Sequence, residues 1–161
     1  YYGIGAAATI LVSSAHSKGD HKQVRHTVGV ALILAEAVAL LVLIGLILGR
    51  HYLGYIFSKD PGIITMTALA ILPMALYQPA DALQVIYSNA LRGMEDVKHM
   101  ALYACGVHLI IAPTLCLLFG FGLGLEGGGI QLTAVWSAFP VSLLLLGLLL
   151  KRRFDRISIP R

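Results

Sequence analysis

Thr27-Val-Gly-Val-Ala-Leu-Ile-Leu-Ala-Glu36-Ala-Val-Ala-Leu-Leu-Val-Leu-Ile-Gly-Leu-Ile-Leu48 is the stretch on which the fold turns. Its 22 residues hold one charged side chain, Glu36, and no proline. A helix rises about 1.5 Å per residue, so about 20 apolar residues cross a hydrocarbon core of about 30 Å. The stretch shows none of the alternation, in segments of about 10 residues, that marks a transmembrane β-strand. It reads as a membrane-spanning α-helix.

Outward from it, three further runs are long enough to span: Ile63–Ala80 (continuing in mixed form to Leu91), Met100–Phe121 and Ile130–Leu150. Tyr1–Ala15 is apolar but short, which fits a helix cut by the start of a fragment. The expected fold class is therefore all-α, a polytopic transmembrane bundle with helices over about 1–15, 27–48, 61–91, 100–121 and 130–150. Composition agrees, with 58% hydrophobic and 12% charged residues against roughly 45–50% and 25% in a soluble domain. The chain opens on Tyr1-Tyr2-Gly3 with no basic segment or cleavage site, so no signal peptide is read there and an upstream part is expected.

Punctuation supports these boundaries. Asp60-Pro61 pairs an N-cap with proline at the first helical position, and Glu126-Gly127-Gly128-Gly129 is a flexible turn before the last helix. Basic residues then orient the chain. Lys18, Lys22, Arg25, Arg92, Lys98, Lys151, Arg152, Arg153, Arg156 and Arg161 fall on one side, while Arg50 and Lys59 fall on the other. The positive-inside rule places the richer side and the C-terminus in the cytoplasm of a plasma (inner) membrane protein. Tyr52, Tyr55 and Phe57 would then join an aromatic belt at the outer interface. Short basic clusters between apolar runs suit lipid rather than nucleic acid, so no nucleic-acid partner is expected. Cys105 and Cys116 would lie about 16 Å apart along a helix, too far for a mutual disulfide. Cys105 and His108 lack further ligands for zinc, so both cysteines read as packing residues.

Function is sought where polar groups sit at a depth that lipid penalises. In Ile71–Ser88, at about 100° per residue, Tyr77, Asp81, Gln84 and Ser88 fall within one narrow stripe of an otherwise apolar helix. Such a stripe must face other helices or a water-filled cavity. Pro73 and Pro79 lack the N–H groups that would bond the carbonyls of Leu69 and Ala75, so a bend and free carbonyls are expected beside Asp81. Carboxylate, carbonyl and phenol together suit a proton, a sodium ion or an organic cation. A helix-packing role for Asp81 is the blander reading, and the aligned Tyr77 and Gln84 favour the functional one. Two roles fit Glu36: a second proton carrier, or a protonated carboxyl bonded to a neighbouring helix. His108 reads as a neutral hydrogen-bonding residue. Pro113 and Pro140 would bend the last two helices, and small residues such as Gly106 and Ala112 would allow close packing. No phosphate-cradling loop, nucleophile elbow or zinc-protease motif appears, so no enzyme, cofactor or metal site is expected.

Tyr77-Gln78-Pro79-Ala80-Asp81-Ala82-Leu83-Gln84, followed by Leu91-Arg92-Gly93-Met94-Glu95-Asp96, resembles a signature of the multidrug and toxic compound extrusion (MATE) family. Members read approximately Tyr-Gln-x-x-Asp-x-x-Gln and then Leu-Arg-Gly-x-x-Asp-Thr. Ala8–Val12 through Lys18-Gly19-Asp20 to Arg25 looks like the end of that family's eighth helix and its following loop. The chain would then cover the eighth to twelfth of twelve helices, an incomplete C-terminal lobe. The resemblance implies an exporter with two six-helix lobes that exchanges organic cations for protons or sodium ions. It also implies that Asp81 binds the cation with Tyr77 beside it, and we group Gln78 and Gln84 with them. The implied partners are membrane lipid, cationic small molecules and the missing N-terminal lobe. The sequence departs from the pattern at Val97 (usually threonine), at Ser13 and Ser17 (commonly glycine), and at Ile130-Gln131-Leu132 (a frequent Trp-x-Gly). Alternatives are a lipid-linked oligosaccharide flippase of the same superfamily, which typically needs cationic cavity residues absent from these helices, or a non-transporting membrane subunit.

Overall fold

The structure, a computed structural model, describes residues 1–125 and 127–159. Glu126 of the expected glycine turn and Arg161 of the basic C-terminus lie outside the described residues. Five antiparallel helices follow one another: α1 (Tyr2–Ser17), α2 (His21–Phe57), α3 (Pro61–Gly93), α4 (Val97–Gly122) and α5 (Gly128–Ile157). The described residues contain no strand. Helices α2 to α5 are each long and apolar enough to cross a membrane, so this is a multi-pass helical membrane protein.

The helices outrun the apolar runs because their ends are capped by polar residues. At the α1–α2 turn, Gly19 adopts φ 70°, and its N–H donates to the His16 carbonyl while the Asp20 N–H donates to that of Ala15. This left-handed closure favours glycine and satisfies carbonyls that the helix end leaves free. Asp20 then starts α2 by accepting from the Gln23 N–H at 2.9 Å, so that helix begins at His21 rather than near Thr27. It continues past Leu48 to Phe57, and at 37 residues it measures about 55 Å. Asp60 caps α3 as its sequence suggests, its Oδ1 accepting from the Gly62 and Ile63 N–H groups, with Pro61 in the first turn.

Neither Pro73 nor Pro79 interrupts α3, which runs as one helix from Pro61 to Gly93. Helix α4 answers its proline differently. Val107–Ile111 forms a π-helical turn just ahead of Pro113, and Leu118–Gly122 forms a second. A π turn spreads the i→i+5 hydrogen bonds around the position where proline supplies no donor. Hydroxyls within the spans are satisfied on their own helices, Thr67 on the Ile63 carbonyl, Thr114 on that of Ile110 and Thr133 on that of Gly129. Such residues can face lipid at little cost.

Helix α3 is the spine, packed against α1, α2 and α5. Core residues concentrate toward the end carrying the α1–α2 and α3–α4 turns: Val12, Val24, Val28, Ile86, Leu91 and Leu146 are essentially inaccessible. Close approach there depends on particular glycines. A Cβ on Gly93 would lie 2.8 Å from the Thr9 carbonyl oxygen and 2.9 Å from Val12 Cγ1, and one on Gly5 would lie 2.6 Å from Asn89 Nδ2. At Gly106, by contrast, an added Cβ would meet nothing within 4 Å among the described residues. Ala112 is buried.

Candidate cation-binding site

Asp81 stands at mid-helix on α3 and is 3% exposed. Unlike the hydroxyls of Thr67, Thr114 and Thr133, it does not hide on its own helix. Its Oδ2 accepts from the Tyr1 hydroxyl at 2.9 Å, and the same hydroxyl lies 3.2 Å from Gln78 Oε1. Tyr1 therefore ties two of the sequence-selected residues together across the α1–α3 seam. The rings of Tyr1 and Tyr2 stack with centroids 5.6 Å apart, and the phenols of Tyr2 and Tyr77 flank the carboxylate. The result is a buried carboxylate ringed by hydroxyl and amide groups, with no basic side chain hydrogen-bonded or ion-paired to it among the described residues. An acid desolvated without a fixed counter-charge stays available to a mobile one.

The other sequence-selected residues separate. Gln84 Nε2 donates to Ser88 Oγ at 3.0 Å, prolonging the polar stripe away from Asp81 instead of joining its cluster. Glu36 is half-buried on α2, with no hydrogen-bond or ion-pair partner among the described residues, and shares no bond with the Asp81 cluster. His108 is exposed on the first π turn of α4 and makes no hydrogen bond among the described residues. Cys105 is exposed, and Cys116 makes only a weak 3.9 Å contact from Sγ to the Val135 carbonyl.

Two polar connections escape a reading of the sequence. One is Thr9 with Asn89: Thr9 Oγ1 lies 2.9 Å from Asn89 Oδ1, whose amide nitrogen donates to the Val85 carbonyl at 2.8 Å. It clamps α1 to α3 below Asp81. Its only sequence signal is a polar residue in each of two apolar runs. The other lies between helices at the basic end of the bundle. Asp96 Oδ2 accepts from Arg153 Nε at 2.5 Å, and Asp96 Oδ1 lies 2.6 Å from His99 Nδ1. This joins the α3–α4 turn to the end of α5, where Tyr87 and Phe154 also pack at 5.6 Å. The turn itself places Glu95 at φ 64°, and Arg92 in the last turn of α3 is exposed, consistent with a structural corner.

Burial alone would raise the Asp96 carboxyl, but the hydrogen bonds and charges of Arg153 and His99 outweigh it and hold the group below its ordinary value. A depressed carboxylate adds stability that is fully present above its unfolded value of about 3.9 and is lost as pH falls through the folded one. Thermal unfolding of the purified complete protein should therefore separate wild type from Asp96→Asn at pH 7. The two curves should converge as the pH is taken below about 4. A gap that persists unchanged in acid would show that Asp96 contributes by packing alone.

Four helices long and apolar enough to cross a membrane, with Asp81 buried at mid-helix on α3, define a multi-pass helical membrane protein with an acid inside its bundle. The MatE family model matches residues 1–126, and the chain belongs to that family. The chain is similar to the probable multidrug resistance protein NorM of Bradyrhizobium diazoefficiens, 34% identical over 97% of this chain and 33% of the relative. The corresponding figures for the NorM protein of Neisseria meningitidis serogroup B are 29%, 87% and 29%. For Protein DETOXIFICATION 17 of Arabidopsis thaliana they are 34%, 91% and 30%. The fold is similar to the crystal structure of the eukaryotic MATE transporter AtDTX14, with a TM-score of 0.71 at 21% identity over 96% of this chain and 36% of that one. The chain thus spans about a third of the length of the curated relatives it matches.

Proposed function

We propose that this chain supplies the C-terminal part of a cation-coupled exporter that exchanges protons or sodium ions for organic cations. The observation that carries the reading is Asp81, buried at mid-helix, held by a phenol and with no basic side chain hydrogen-bonded or ion-paired to it among the described residues. The names of the relatives, multidrug resistance proteins and a MATE transporter, support the direction of transport. In this mechanism the ionised Asp81 attracts a substrate cation in a site of low dielectric, where the pairing is stronger than in water. A proton or sodium ion entering from outside neutralises the same carboxylate and weakens the substrate's hold. The two ligands are coupled reciprocally because they compete for one charge. Glu36 is proposed as a second protonatable site, and Gln84 with Ser88 as the polar continuation of the first. Lysine and arginine placement orients the C-terminus to the cytoplasm of the inner membrane.

Ethidium efflux from energised cells expressing the complete reading frame tests the proposal. Efflux should stop when the proton or sodium gradient is collapsed, and the ionophore that stops it identifies the coupling ion. Efflux indifferent to both gradients would remove the antiport mechanism. No efflux from well-expressed protein would turn attention to lipid-linked cargo.

A further inference from the structure

Helix α5 runs on past the apolar stretch that ends at Leu150 and closes at Ile157. At about 100° per residue, Val141, Leu144, Leu148, Arg152 and Arg156 fall within about 120° of arc, and all five are exposed. Leu146, Leu150 and Phe154, on the opposite side, are buried against the bundle. Where this exposed lane turns from apolar to basic there is a recess of about 420 Å³, lined by Leu148, Lys151, Arg152, Asp155, Arg156 and Ile159. The basic residues around it are not equivalent. Lys151 Nζ bonds Asp155 Oδ2 at 2.6 Å, and Arg153 is turned away to Asp96. Arg152 and Arg156, one helical turn apart, have no hydrogen-bond or ion-pair partner among the described residues. The recess therefore holds one neutralised pair and two uncompensated guanidinium groups.

We infer that this lane seats an anionic phospholipid from the leaflet on the basic side of the bundle. Its phosphate lies between Arg152 and Arg156, and an acyl chain lies along Leu148, Leu144 and Val141. Charge and length both fit. Guanidinium groups present a planar fork of donors that matches phosphate oxygens, and basic residues flanking a membrane helix draw anionic headgroups. Val141 and Arg152 are about 16 Å apart along the helix, close to half of a hydrocarbon core of about 30 Å, the share of one leaflet. A phospholipid carries its acid and its hydrocarbon in the same order along the membrane normal as this lane carries arginine and leucine. A soluble anion or a nucleic acid would leave the leucines unused. The inference does not depend on what the protein exports.

The test uses the complete protein purified in detergent, titrated with phosphatidylglycerol or phosphatidylcholine of identical chains and read by native mass spectrometry. The double variant Arg152→Gln/Arg156→Gln should bind phosphatidylglycerol about thirtyfold more weakly, the expected weight of two basic groups at an anionic headgroup. Its phosphatidylcholine binding should stay within about twofold of wild type. Lys18→Gln/Lys22→Gln removes two exposed cations at the α1–α2 turn, on the same side of the bundle, and should keep the wild-type phosphatidylglycerol affinity. Glycerol 3-phosphate, an anionic headgroup without chains, should not displace the lipid at millimolar concentration. In lipid-free detergent the arginine double variant should melt with wild type, because neither guanidinium bonds the protein. Unchanged phosphatidylglycerol binding in that variant, or equal losses in the two double variants, would overturn the assignment. So would displacement by glycerol 3-phosphate, which marks a site for a free anion, or a lowered melting temperature without lipid, which marks arginines that serve the bundle itself.

Discussion

Asp81→Asn in the complete protein is expected to reduce coupled export of an organic cation to the level of cells lacking the transporter, with the variant still inserted and folded. Asparagine matches aspartate in shape, and its amide oxygen can still accept from the Tyr1 hydroxyl that bonds Asp81 at 2.9 Å. Burial of a neutral amide costs less than burial of an ion, so the bundle has no reason to open. What disappears is the charge. A unit charge at about 4 Å is worth about 4 kcal/mol at an effective dielectric of 20, roughly a thousandfold in affinity. In the proposed mechanism one carboxylate serves both substrate and coupling ion, so their competition would disappear with it. Asp81→Glu retains the charge but moves it along a longer side chain, and should keep a measurable fraction of activity. Efflux measured alongside size-exclusion profiles of each variant separates transport from folding. Wild-type efflux in Asp81→Asn would remove Asp81 from the coupling mechanism altogether.

The second large effect concerns Gly93, where α3 meets α1. Gly93→Leu should destabilise the bundle by about 3 kcal/mol, the upper part of the range for overpacking a close-packed site. A Cβ there would press on the Thr9 carbonyl oxygen at 2.8 Å and on Val12 Cγ1 at 2.9 Å. One is backbone and the other belongs to a fully buried side chain, so neither can swing aside. Relief requires α1 to move off α3, which stretches the 2.9 Å contact between Thr9 and Asn89. It also disturbs the seam that presents Tyr1 to Asp81. The control is Gly3→Leu on α1, where an added Cβ meets nothing within 4 Å; leucine's better helix propensity should make that change neutral or slightly stabilising. Thermal stability of the two purified variants distinguishes them. Equal melting temperatures would mean that the α1–α3 contact is loose enough to absorb a side chain.

How much of this was legible beforehand differs by residue. Thr27–Leu48 announces a membrane helix because lipid exposure demands an apolar surface over a length that the bilayer sets. Asp60-Pro61 announces a helix start because capping is chemistry within one turn. Asp81 announces itself because an acid in an apolar helix is costly unless a neighbour or a mobile cation compensates it. Each of these is a local matter, and periodicity or composition suffices to see it.

The limits appear where partners are far apart along the chain. Gln84 shares the stripe with Asp81, yet the structure turns it to Ser88. Tyr1, 80 residues upstream, bonds the carboxylate instead. Gly106 and Gly93 look alike as small residues, but only Gly93 meets another helix. Trp136 and Tyr77 sit on different helices and become walls of one cavity only after α5 packs on α3. By itself, then, the sequence determined that the chain is a bundle of membrane helices, that Asp60-Pro61 starts one of them, and which carboxylate lipid would penalise. Only the tertiary structure decided which groups surround that carboxylate. The physical reason is that solvation acts on each segment separately, whereas helix rotation and register follow from ridge, groove and glycine contacts between segments.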